Sequence, residues 1–184
     1  MKFIPQFIPE VLLIEPIIHR DERGYFLETF RQDELDQELG YKVKFIQDNE
    51  SKSLTKGVIR GLHYQLPPFT QSKLVRVMKG RALDVAVDIR KNSDHFGKYV
   101  AVELSEENKK QLFVPKGFAH GFLTLSDEVI FTYKVDAYYS AIHEEGIAYN
   151  DLEIAIEWGF PTKNLILSKA DQELSNLSDK NTLF

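Results

Sequence analysis

The 184-residue chain has no cysteine, which excludes both a disulfide framework and a thiolate metal site. That absence is compatible with a reducing cytoplasm, the location expected for the chain. Its opening residues, Met1-Lys2-Phe3-Ile4-Pro5, lack a cationic stretch followed by a long apolar run. Neither a signal peptide nor a membrane span is therefore expected. An excess of cationic side chains is also missing: 23 Lys and Arg stand against 28 Asp and Glu, a net charge of -5. This argues against a nucleic-acid-binding surface. It leaves room for an anionic ligand, because a few arginines can set the potential inside a cleft. No repeat, linker or low-complexity segment breaks the chain. The length then predicts a single domain over residues 1–184 with a substantial core.

What is present reads mostly as β-structure. Strands are expected at 11–18, 24–30, 44–48, 57–64, 73–79, 81–89, 99–104, 111–114, 121–125, 129–135 and 154–157. In the clearest of them Leu83, Val85, Val87 and Ile89 share one face, and Asp84, Ala86 and Asp88 share the other. One helix is expected over Arg31–Leu39, ended by Gly40, and a short one over Ala170–Leu177. Many short strands divided by turn residues describe a sandwich or barrel, best a jelly roll. Such barrels bind small molecules in their mouths.

Several residues could carry chemistry, and each also has a structural reading. His63 stands close to Arg60 and Gln65; alone it reads as a satisfied barrel histidine. Arg60 and His63 are separated by two residues, so a regular strand would point them to opposite faces. A shared site requires a bulge or a close backbone approach at Gly61. His120 could join His63 on a metal, but two histidines with neither a carboxylate nor a third imidazole make a poor metal site. Lys73 precedes Val75 and Val77 on one face, where burial is costly unless the ammonium is paired. Tyr133 reads by default as a packing residue with a hydrogen-bonded tip, and Asp171 as a helix N-terminal carboxylate. Arg23 and Glu28 alone read as surface charges.

Two segments resemble the cupin signature: Gly57-x5-His63-x-Gln65, and Pro115-x-Gly117-x-x-His120. A glutamine replaces the second metal histidine, and Phe69 and Thr70 stand near the place of the usual glutamate. The chain as a whole, from about Ile8 to Asp171, is similar to the dTDP-4-dehydrorhamnose 3,5-epimerase family. The motifs are Asp21-Glu22-Arg23-Gly24-Tyr25-Phe26-x-Glu28, Gln47-Asp48-Asn49, Ile59 to Gln65, Gln71-x-Lys73, Asp84 to Arg90, Pro115 to Phe122, Tyr133-Lys134, Glu144-x-Gly146 and Ser168-x-x-Asp171.

The resemblance implies an all-β fold, a cupin-type jelly-roll barrel with short peripheral helices. It implies metal-free and cofactor-free epimerisation of a dTDP-linked 4-keto-6-deoxy sugar at carbons 3 and 5, by a homodimer. His63 would be the base, Asp171 its orienting partner, Lys73 the stabiliser of the ketone oxygen, and Tyr133 the opposite acid. Arg23 and Arg60 would meet the diphosphate; Phe26 and Tyr138 would pack on thymine or sugar. Glu28, Gln47, Asn49, His120 and Glu144 would line the pocket. The family commonly places a ligand-contacting lysine just before the aspartate. Here Ala170 takes that place and Lys169 lies one residue earlier. A single-centre epimerase or ketoisomerase, and a sugar-nucleotide-binding cupin without turnover, are the alternative readings.

Overall fold

Among the described residues the short alternating runs form thirteen strands. The computed structural model describes residues 1–180 and 184. The strands are β1 (Lys2–Pro5), β2 (Leu12–Glu15), β3 (His19–Asp21), β4 (Gly24–Phe26), β5 (Gln47–Ser53), β6 (Ile59–Gln65) and β7 (Lys73–Lys79). They continue with β8 (Arg81–Asp88), β9 (Tyr99–Ser105), β10 (Gln111–Val114), β11 (Phe118–Thr124), β12 (Val129–Val135) and β13 (Glu144–Gly146). A six-stranded sheet runs β1-β2-β10-β7-β12-β5, a five-stranded sheet runs β13-β6-β11-β8-β9, and β3 and β4 form a separate ribbon. Pairing is antiparallel throughout these ladders. Two facing antiparallel sheets make the expected jelly-roll type of barrel.

Three apolar clusters hold it together. Between the sheets, Val75, Val77, Ala86, Leu112, Phe122 and Phe131 meet. On the outer face of the six-stranded sheet, Leu12, Leu74 and Phe113 are covered by Leu35 of helix α1 (Gln32–Leu39). On the outer face of the five-stranded sheet, Val85, Val87 and Ile89 lie under Ile154, Trp158 and Leu177 of the C-terminal segment. The alternation in β8 is therefore real, but its apolar face looks outward under that cover. Its other face, with Asp84 and Asp88 both fully buried, looks into the barrel. This inward polarity is what makes an interior site.

Helix α1 ends as expected at Gly40, whose φ of 73° closes it with a bond to Asp36 O. The strand expected at 11–18 is confined to Leu12–Glu15 and stops there because Pro16 has no N–H to donate. The strand expected at 44–48 instead runs over Gln47–Ser53, where it pairs with the whole of β12. The segment 154–157 is not a strand. Asp151 Oδ1 accepts the Glu153 and Ile154 N–H groups, at 2.8 and 2.9 Å, and folds the chain into a turn. The C-terminal helix is limited to α2 (Lys169–Gln172), because the backbone beyond it bonds elsewhere: Ser175 O accepts from Ala148 N at 2.9 Å. No described helix is long and apolar enough to cross a membrane.

Candidate active site

The condition set by Arg60 and His63 is met. His63 pairs with His120 and Arg60 with Phe122, so two residues of β6, Gly61 and Leu62, stand against one of β11, Gly121. The bulge lies where Gly61 faces Gly121. Gly61 has φ +119°, and a Cβ there would lie 2.6 Å from Gly121 Cα and 2.7 Å from His120 O. Only glycine supplies both the backbone and the approach. The result is that Arg60 and His63 line one cavity of about 490 Å³, together with Lys73, His120, Tyr133, Glu144 and Asp171. That volume suits a small ligand.

His63 Nε2 lies 2.6 Å from Asp171 Oδ1. A carboxylate only accepts, so Nε2 carries the proton and Nδ1 holds the lone pair. Asp171 is fixed in turn. Its Oδ2 accepts from the Ser168 hydroxyl at 2.8 Å, and its N–H is capped by Ser168 Oγ at 3.0 Å. Burial works to raise the Asp171 carboxyl. The hydrogen bonds from His63 and Ser168, with the charges of His63 and Arg60, outweigh it and hold the group below the usual carboxylate range.

Lys73 begins β7 and is nearly buried, its Nζ 3.4 Å from His63 O. Burial pushes its ammonium down to about 8, against the opposing charges of Asp84 and Glu144. His120 Nε2 sits 2.9 Å from Asp84 Oδ1, a second buried His–Asp pair in the same barrel. Tyr133 enters from β12. Burial and the Glu144 charge raise its phenol above the ordinary value, and Arg60 works the other way. Phe122 and Phe131 stack at 4.0 Å between ring centroids and give the cavity an apolar wall.

Gln65 is buried with its amide fully engaged. It donates to Phe69 O at 2.7 Å and Tyr138 O at 3.2 Å, and accepts from Ser140 N at 2.6 Å. A histidine could not clamp both loops this way. Among the described residues, no group of three or more His, Asp or Glu side chains is placed to hold a metal ion.

Seven of the named residues meet in the cavity, and seven lie outside it. Gln47 and Asn49 share a face of β5 with Ser51, which does line it; Gln47 Nε2 donates to Asn49 Oδ1 at 2.8 Å. Tyr138 and Lys169 are exposed, and Ala170 rather than Lys169 reaches the cavity wall. Arg23 and Phe26 lie on the β3–β4 ribbon, with Arg23 paired to Asp21 at 2.5 Å; Glu28 is 3.8 Å from Arg31. Sequence reasoning gave Asp84 no role of its own. Its signal was an acid alternating with small and apolar residues along a strand.

A jelly-roll barrel that gathers a His–Asp pair, a buried lysine and a half-buried tyrosine in one interior cavity has the parts of an acid–base isomerase. A profile described as dTDP-4-dehydrorhamnose 3,5-epimerase matches residues 5–179. The chain belongs to this family. It is 55% identical to the dTDP-4-dehydrorhamnose 3,5-epimerase of Shigella flexneri over 171 residues, 93% of each chain. The crystal structure of the enzyme of that name from Elizabethkingia anophelis superposes with a TM-score of 0.95 at 44% identity, over 99% of both chains. The dTDP-6-deoxy-D-glucose-3,5-epimerase of Legionella pneumophila, in complex with dTDP-4-keto-L-rhamnose, gives 0.92 at 46% identity, over 96% of this chain and 93% of that one.

Proposed function

We propose that the chain epimerises dTDP-4-dehydro-6-deoxy-D-glucose at carbons 3 and 5, giving dTDP-4-dehydro-L-rhamnose for dTDP-L-rhamnose synthesis. The observation that carries this is the His63–Asp171 pair on one wall of a cavity whose opposite sheet presents Tyr133. The 4-keto group acidifies the proton on each neighbouring carbon. His63 Nδ1 takes one such proton, and the C–H electron pair moves into an enolate. The Lys73 ammonium stabilises the oxygen, and Asp171 stabilises the imidazolium that forms. Tyr133 returns its proton from the other face, which inverts the carbon. Exchange with solvent resets both groups, and the second carbon follows by the same steps. Each positioned acid or base contributes about 10²–10⁴-fold. All protons are handled by the chain's own side chains, so the scheme calls on no metal and no cofactor.

The same reading assigns Arg60 to the diphosphate and His120 and Glu144 to substrate contacts. It places the protein in the cytoplasm as a homodimer. What supports the dimer is the β3–β4 ribbon, which leaves Tyr25 and Phe26 exposed and stands apart from both sheets, and the outer edge of β5, which has no strand partner among the described residues. A partner's ribbon is the element available to bring Arg23, Phe26 and Glu28 to a cavity. In deuterium oxide with the 4-keto sugar nucleotide, two deuterons should enter the ring. Entry at one carbon alone would make the protein a single-centre enzyme, and no entry would reduce it to a binding protein. Light scattering that returned a monomer would remove the dimer.

A further inference from the structure

Asp84 lies on the inward face of β8 with no exposed surface. Its Oδ1 holds His120 Nε2 at 2.9 Å, while its Oδ2 is buried without a hydrogen-bond partner among the described residues. A buried carboxylate with an unused oxygen needs a compensating charge. The nearly buried cation in the same interior is Lys73, whose Nζ reaches, among the described residues, only the His63 carbonyl at 3.4 Å. We propose that Asp84 is a positioning residue of the reaction: it keeps Lys73 cationic and His120 in one orientation, so that the ketone end of the substrate meets a charged ammonium. The inference rests on the epimerase reading above.

The charged and titratable groups that share the cavity with Lys73 or act on it are Arg60 and His63 from β6, Asp84 from β8, His120 from β11, Tyr133 from β12, Glu144 and Glu145 from β13 and Asp171 from α2. Two of them oppose the loss of the lysine proton, Asp84 ahead of Glu144. Glu144 is exposed at the mouth, where solvent screens it; Asp84 is not screened. An ammonium that titrates at about 8 stands close to losing its charge at working pH. Tyr133 titrates above its ordinary value, so the lower alkaline limb of the rate belongs to Lys73.

The experiment measures kcat against pH, from about 6 to 10, for the full chain and for Asp84→Asn, Asp84→Ser and Asp84→Glu. Loss of the charge should move the alkaline limb down by about one pH unit or more. The two neutral variants then lose about tenfold more at pH 8.5 than at pH 6.5, while Asp84→Glu keeps the limb in place. The rate at which Lys73 takes up an amine-reactive acyl label, read by mass spectrometry, should show the same shift without turnover. A wild type that labels as described but exchanges no deuterium would sink the epimerase reading and leave the electrostatic link standing. Neutral variants whose limb and labelling profile stay where the wild type has them would overturn the inference. So would failure of both neutral variants to fold, since that would assign Asp84 to the fold alone.

Discussion

Gly61→Ala tests the geometry on which the site depends. Gly61 has φ +119°, a backbone that an L side chain rarely adopts, and holding alanine there costs about 1–3 kcal/mol. The added methyl would also meet Gly121 Cα at 2.6 Å and His120 O at 2.7 Å. Both are backbone atoms fixed in the β11 ladder, so the contact is relieved only by moving a strand, at about 1–3 kcal/mol more. The sum of about 2–6 kcal/mol lowers the melting temperature by roughly 5–20 °C in a chain of this size. Activity should suffer beyond that, because the bulge aims His63, and displacement of a catalytic group by about 1 Å costs on the order of 10²-fold. Gly40→Ala is the control. It also has a positive φ, 73°, but nothing lies within 4 Å of the added carbon, so it should cost about 1–2 kcal/mol and leave kcat unchanged. Melting curves and deuterium incorporation on both variants decide the matter. A Gly61→Ala protein with wild-type melting and wild-type turnover would refute the register argument.

Asp171→Asn should lower kcat by about 10²–10⁴-fold with little change in KM, because an amide N–H turned toward His63 moves the lone pair off Nδ1. Asp171 also carries a stability signature. Its folded value lies below the ordinary 3.8, so its contribution is complete above that value and is lost as the pH falls through the lower one. Acid titration of the melting temperature should show a smaller drop for Asp171→Asn than for wild type. Tyr133→Phe should still admit deuterium through His63 while the epimerised product falls by about 10²-fold or more; full inversion by this variant would remove Tyr133 from the acid role. Gln65→His, which restores a metal-ligand histidine to the cupin pattern, removes three backbone bonds and should cost about 2–4 kcal/mol in urea unfolding. Elemental analysis should find no stoichiometric zinc in it, since Asp84 already holds His120 Nε2.

Much of the barrel was legible because β-alternation is local. The strands at Lys73–Lys79, Gln111–Val114 and Val129–Val135 begin and end where their patterns do. Strand β5 was not, because Gln47–Ser53 is wholly polar and owes its form to the ladder with β12, a long-range pairing. The expected strand at 154–157 failed for the opposite reason: its apolar residues are buried as cover on a sheet, while Asp151 takes the N–H groups a ladder would need. Within the cavity, His63, Lys73, Tyr133 and Asp171 were marked by motif spacing. Asp84 opened one of the motifs but carried no role there, because its importance comes from sharing an interior with Lys73, which no local pattern reveals.

Two His–Asp pairs face one cavity, and the proposed mechanism gives them different tasks. A base must reach a carbon-bound proton. The His63 side chain is 37% exposed, against 7% for His120. Asp171 has both carboxylate oxygens engaged, by His63 and Ser168, so its charge is settled wherever the imidazole proton lies. Asp84 has one oxygen engaged and one free of donors, which suits a fixed counter-charge to Lys73. Their supports differ too. Asp84 belongs to a strand flanked on both sides, whereas Asp171 arrives on a four-residue helix held to the barrel by the C-terminal cover. Loosening that cover, at Leu177 or Trp158, should therefore detach the orienter from His63 while leaving the Asp84 pair intact. The base would lose its tautomer before the barrel lost its fold.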